Sequence, residues 1–171
     1  MRAPAGAGQR HFSMDFIELL EQSAPMVWLR EGGSLWGYPA ILFAHTLGLG
    51  TVAGVSTAIG LRFLGFGRKI PLPSLQPLFS LMWAAFALTA ASGLILLIAD
   101  ASNKLASAVF YVKMLFVILA LLCVVRLKSA AAMPADPVSG SNGRLWALGA
   151  LFCWAAAITG GRLMAYLGPI G

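Results

Sequence analysis

The sequence predicts an all-α integral membrane protein, a four-transmembrane-helix bundle preceded by an N-terminal interfacial amphipathic helix. Three observations predict it. Four apolar runs, Pro39 to Leu61, Pro77 to Ala99, Leu105 to Val125 and Trp146 to Leu167, each reach the roughly 20 residues that cross a hydrocarbon core of about 30 Å. Hydrophobic residues make up 59% of the chain and charged ones 11%, whereas soluble domains carry roughly a quarter charged residues. The four runs together hold only three residues with ionisable basic side chains, His45, Lys113 and Arg162. Such groups are expensive inside hydrocarbon and tend to mark function.

In order along the chain, residues 1–13 are polar and rich in Gly and Ala, and read as a flexible arm. Residues 14–35 read as an interfacial helix and turn. Phe16, Leu19, Leu20, Met26 and Trp28 alternate there with Glu18, Glu21 and Gln22, and Pro25 is expected to bend the helix. Gly32, Gly33 and Ser34 supply the turn. Residues 36–171 form the four-helix domain, with spans expected at about 39–61, 77–99, 105–126 and 145–167. Trp36 and Tyr38 suit the headgroup level, and Pro39 opens the first span where its missing N–H does no harm. Pro71, Pro73 and Pro77 stiffen the first long connection, and Pro134, Pro137 and Gly140 loosen the second. No apolar run stands where a removable signal peptide would.

Orientation follows from the basic residues. Arg62, Arg68 and Lys69 follow the first span, and Arg126, Lys128 and Arg144 follow the third, so both connections are expected in the cytoplasm. Both termini then fall on the periplasmic side of a bacterial inner (plasma) membrane. The net charge of +6 reads as topology and attraction to lipid. No nucleic-acid motif accompanies it.

Small residues recur at every fourth position, Gly50 and Gly54 in the first span, Ala85, Thr89 and Gly93 in the second, and Gly149, Cys153, Ala157 and Gly161 in the fourth. Such stripes let helix backbones approach closely, and one could instead admit a flat cofactor ring. By counting, His45 and Lys113 each lie about two turns, and Arg162 about one turn, from the same membrane face. Asp100 stands at that face, available to pair with one of the cations. His45 is the candidate axial haem ligand or metal ligand, and equally a hydrogen-bond partner for a quinone. Lys113 and Arg162 are candidates to neutralise such a cofactor, or else snorkel to phosphates. Met114 and Met164, with Met82, are candidate second haem ligands or soft copper ligands, or plain apolar filler. Cys123 and Cys153 differ in depth, so no disulfide is expected between them. No hydrolase, nucleotide-binding or zinc motif is present, so a self-contained enzyme is not expected.

Several segments together resemble a family of uncharacterised bacterial four-helix membrane proteins. They are Phe16-Ile17-Glu18-Leu19-Leu20 with Ser23, Trp36 and Pro39 before His45-Thr46-Leu47-Gly48-Leu49, Leu61-Arg62-Phe63-Leu64-Gly65, Ser92-Gly93-Leu94-Ile95-Leu96, and Val109-Phe110-Tyr111-Val112-Lys113-Met114. The chain departs from that pattern at Gly60, where the family usually carries an acidic residue, and in the apolar stretch Leu119 to Val125, where it often carries Asn. The family is distantly similar to copper-resistance and cytochrome-b-like membrane bundles. The resemblance implies the four-helix fold and adds weight to His45 and Lys113. It supplies no function, and from the residues themselves three are expected candidates: a subunit of an electron-transfer or respiratory-type assembly binding haem b or quinone, a cofactor-free accessory or scaffolding subunit, and copper handling. The expected partners are the lipid bilayer and other membrane subunits or further copies of the chain.

Overall fold

A computed structural model describes residues 19, 21–31, 36–132 and 141–167. The described elements are all helical: α1 (Ala24–Glu31), α2 (Tyr38–Leu64), a 3-10 turn (Leu72–Leu75), α3 (Gln76–Ile98), α4 (Ala101–Ala106), α5 (Ala108–Ala131) and α6 (Ser141–Leu167). Among the described residues four helices are long and apolar enough to cross a membrane. The proposed arm at 1–13 and most of the segment 14–20 lie outside the described residues.

Local chemistry sets the ends. Pro39 occupies the first turn of α2, and Gly65, at φ 106°, closes it in the left-handed conformation that glycine adopts without strain. The N–H of Phe66 then reaches back to Leu61 O at 3.0 Å. Pro77 sits in the first turn of α3. Pro25 stands in the first turn of α1, after Ser23 O has accepted from the N–H groups of Met26 and Val27. α1 therefore starts at Ala24, just before Pro25. Extended backbone at Ser107 separates α4 from α5, so the third long helix begins later than expected, at Ala108. It runs past Arg126 to Ala131, because a charged residue does not by itself end a helix.

The long helices pack in the order α3, α2, α6, α5, while α3 and α5 scarcely touch. Packing is uneven along the bundle. The large buried side chains Ile59, Phe63, Phe79, Met82, Val124 and Leu127 gather towards the Gly65 end. At the opposite end, where α2 begins, residues 108–119 of α5 include no buried side chain.

The small-residue stripes divide in two. A Cβ on Gly48 would lie only 3.1 Å from Ala85 O and 3.2 Å from Thr89 N, one on Gly60 3.2 Å from Leu151 Cγ, and one on Gly149 3.2 Å from Cys123 Sγ. Gly48 is where two backbones approach, and Gly60 and Gly149 seat the side chains of Leu151 and Cys123. Gly50 and Gly54 have nothing within 4 Å and face outward. The outer face also carries hydroxyls: Thr46, Thr51 and Thr57 of α2 and Thr159 of α6 each donate to the carbonyl four residues earlier, at 2.8, 2.9, 2.7 and 2.8 Å.

Candidate functional site

His45 projects from α2 towards α3. Its Nδ1 lies 3.0 Å from Thr89 O and 3.2 Å from Ser92 Oγ. A carbonyl can only accept, so Nδ1 carries the proton and donates. The Ser92 hydroxyl gives its own proton to Leu88 O at 2.6 Å and meets the imidazole through a lone pair. In the neutral ring this leaves Nε2 with a free lone pair. Among the described residues no hydrogen bond involves Nε2. The ring lies against bare backbone: a Cβ on Gly93 would stand 2.9 Å from Cε1 and 3.3 Å from Nδ1. Gly48, one turn further along α2, brings the two helices close enough for the imidazole to span the gap.

Lys113 approaches from α5. Its stem runs along the glycine pair of α6, with Cβ 3.7 Å from a notional Cβ on Gly160, and with Cε and Nζ both 3.6 Å from one on Gly161. The side chain is half-buried, and among the described residues no carboxylate or hydrogen bond meets its ammonium. Lys104, in α4, and Lys113, near the start of α5, stand with His45 at the loosely packed end of the bundle.

Asp100 pairs with Lys104 rather than with His45, Lys113 or Arg162. Its carboxylate lies 3.5 Å from Lys104 Nζ and accepts from Asn103 Nδ2 at 2.8 Å, while Lys104 Nζ also donates to Leu96 O at 2.7 Å. Glu21 accepts from both the backbone N–H and the hydroxyl of Ser102, which ties the segment before α1 to the α3–α5 connection.

Arg162, Met114 and Met82 are not gathered with His45. Arg162 is exposed, and Met114 is 40% exposed on the side of α5 that faces out. Met164 belongs to α6, but its side chain lies outside the described residues. Met82 is buried near the other end and accepts from Ser56 Oγ at 3.5 Å. Cys123 and Cys153 are buried free thiols. Among the described residues no group of three or more His, Cys, Asp or Glu side chains assembles.

Sequence reasoning gave Arg62 no more than a topological role. The structure continues α2 through it and buries it to 8% exposure. Its Nε donates to Ile70 O at 2.7 Å and one Nη to Arg68 O at 3.3 Å, so the guanidinium pins the turn leaving α2. The remaining Nη is buried without a hydrogen-bond partner among the described residues. The isolated Leu-Arg pair gives no sign of this, because the accepting carbonyls belong to the turn that follows. Arg62→Leu is expected to lower unfolding stability by about 2 kcal/mol, the worth of a charged hydrogen bond and the cost of stranding its acceptors. Denaturant titration in detergent, followed by helical circular dichroism, checks this.

Comparison with known proteins adds no relative: no family model, no curated protein and no solved structure matches the chain.

Proposed function

We propose that the chain is a small membrane subunit of a bacterial electron-transfer or respiratory-type assembly, binding haem b or a quinone at His45. The observation that carries this reading is the anchored imidazole. A backbone carbonyl fixes the ring through Nδ1 and turns the Nε2 lone pair into the only unused function, as in histidines that ligate metals or meet a cofactor. Lys113 meets no carboxylate among the described residues and stands ready to neutralise a propionate or to hydrogen-bond a quinone oxygen.

The positive-inside rule puts the Gly65 end, with Arg62, Arg68, Lys69, Arg126, Lys128 and Arg144, in the cytoplasm. The His45 site then belongs to the outer face, and both termini to the periplasm. Exposed Trp28 and Trp36 beside buried Leu29 support an interfacial role for α1 and the turn after it.

A second reading, a cofactor-free accessory subunit, is favoured by the outward glycines Gly50 and Gly54, which leave α2 a flat face for a partner helix. Copper handling has less behind it, since among the described residues His45 gathers no thioether: Met82 is engaged with Ser56 and Met114 faces out.

A reduced-minus-oxidised visible spectrum of the purified chain, with His45→Ala beside it, tests the first reading. A b-type band that disappears in the variant is expected for a haem ligated by His45. A flat spectrum from folded protein removes haem, and assay of extracted lipids for quinone then separates quinone binding from the accessory reading.

A further inference from the structure

We infer that the ligand met by His45 and Lys113 is a quinol, the dihydroxy form of a lipid-soluble quinone, entering sideways between α3 and α5. This rests on the reading above and chooses among its ligands.

The choice follows from matching donors to acceptors. Nδ1 of His45 is committed as a donor to Thr89 O, so in the neutral ring Nε2 can only accept. Lys113 carries an ammonium, which can only donate. The free groups on offer at this end of the bundle are thus one acceptor and one donor. A carboxylate, a phosphate or a quinone carbonyl has only acceptors and would leave Nε2 unmet. A hydroxyl has both functions: its proton goes to Nε2 and its oxygen lone pair receives Nζ–H. A phenolic hydroxyl suits the pair best, because its acidic proton strengthens the first bond and the ammonium stabilises the charge that this bond leaves on oxygen.

The surroundings fit a ligand that arrives from the bilayer. The half of α5 that carries Lys113 includes no buried side chain, and α3 scarcely touches α5, so the site borders hydrocarbon. Phe110, Phe116 and Val117 lie half-buried on the same α5 face as Lys113, giving an aromatic ring and an isoprenoid tail apolar neighbours. The Lys104–Asp100 pair and the Glu21–Ser102 bonds lie on the connection at this end, leaving the side between the helices as the apolar approach.

The test is anaerobic titration of the full chain in phosphatidylcholine nanodiscs with three probes: a decyl-tailed benzoquinol, the matching quinone, and the quinol dimethyl ether, which has no hydroxyl proton. Tryptophan fluorescence reports binding. The quinol is expected to bind about tenfold more tightly than either other probe, the equivalent of one hydrogen bond to a charged or strongly polar partner. Lys113→Met and His45→Phe, each checked for helicity and monodispersity, are expected to erase that preference. Equal binding of all three probes overturns the inference, as does a preference that survives in both variants. A haem band lost in His45→Ala, with no quinol binding, overturns the quinol and keeps the electron-transfer reading. Tighter binding of the quinone than of the quinol does the same. Folded protein with no haem band and no binding of any probe overturns both.

Discussion

Gly48→Leu lowers the unfolding free energy by about 3 kcal/mol, the upper part of the range for forcing volume into a packed contact. A Cβ at this position would meet Ala85 O at 3.1 Å and Thr89 N at 3.2 Å. These are backbone atoms of α3, which can retreat only if the whole helix moves. Leucine therefore pushes α3 off α2 along the contact that builds the His45 site. Gly50→Leu is the control. Two residues further round the helix, it points about 200° away, where nothing lies within 4 Å, so stability stays within about 0.5 kcal/mol of the parent. Chemical unfolding of both variants in one detergent, followed by circular dichroism, checks the difference. Equal midpoints would mean that the α2–α3 contact is not built on Gly48.

Gly93→Ala separates the site from the fold. Its new methyl meets the imidazole edge at 2.9 Å, and a side chain can swing aside where a backbone cannot. The chain should fold with a stability loss below about 1 kcal/mol, while His45 loses its registry with Thr89 O and Ser92 Oγ. Losing the groups that orient a ligating histidine typically costs about 10- to 100-fold in affinity, and that is the expected weakening of whichever ligand His45 holds. The measurement is paired: thermal unfolding, and either the haem band or quinol titration. A variant that loses stability as Gly48→Leu does, or binds unchanged, would show that Gly93 is not the seat of the ring.

These two glycines show where the sequence was readable and where it was not. The spans were legible because apolar runs of this length have few alternatives, and the positions of His45 and Lys113 along their helices followed from counting residues. Facing did not follow. A helix that is apolar all round gives no amphipathic stripe from which to set its rotation, so the i, i+4 pattern singled out Gly50 and Gly54 while the contact was made by Gly48. In the second span the same pattern picked Ala85, Thr89 and Gly93 correctly, because that face is the one turned to α2. Thr89 O as the partner of His45 was beyond reach, since it is a carbonyl freed from no obvious local signal. The ends of α5 were missed by a few residues at each side: extended Ser107 delayed its start, and the absence of Gly or Pro before Pro134 let it run on.

The threonines on the outside of α2 bear on how this chain enters a bilayer. Hydropathy tables charge every hydroxyl as though it were leaving water with its hydrogen bonds unmade. Thr46, Thr51 and Thr57 carry theirs already made, to their own helix. Acyl chains would meet mostly methyl groups there, as they would on a valine-rich rod. With a mean hydropathy of 1.5 against 2.7 for α5, α2 ranks low among the four on paper, and its insertion is more self-sufficient than that ranking implies.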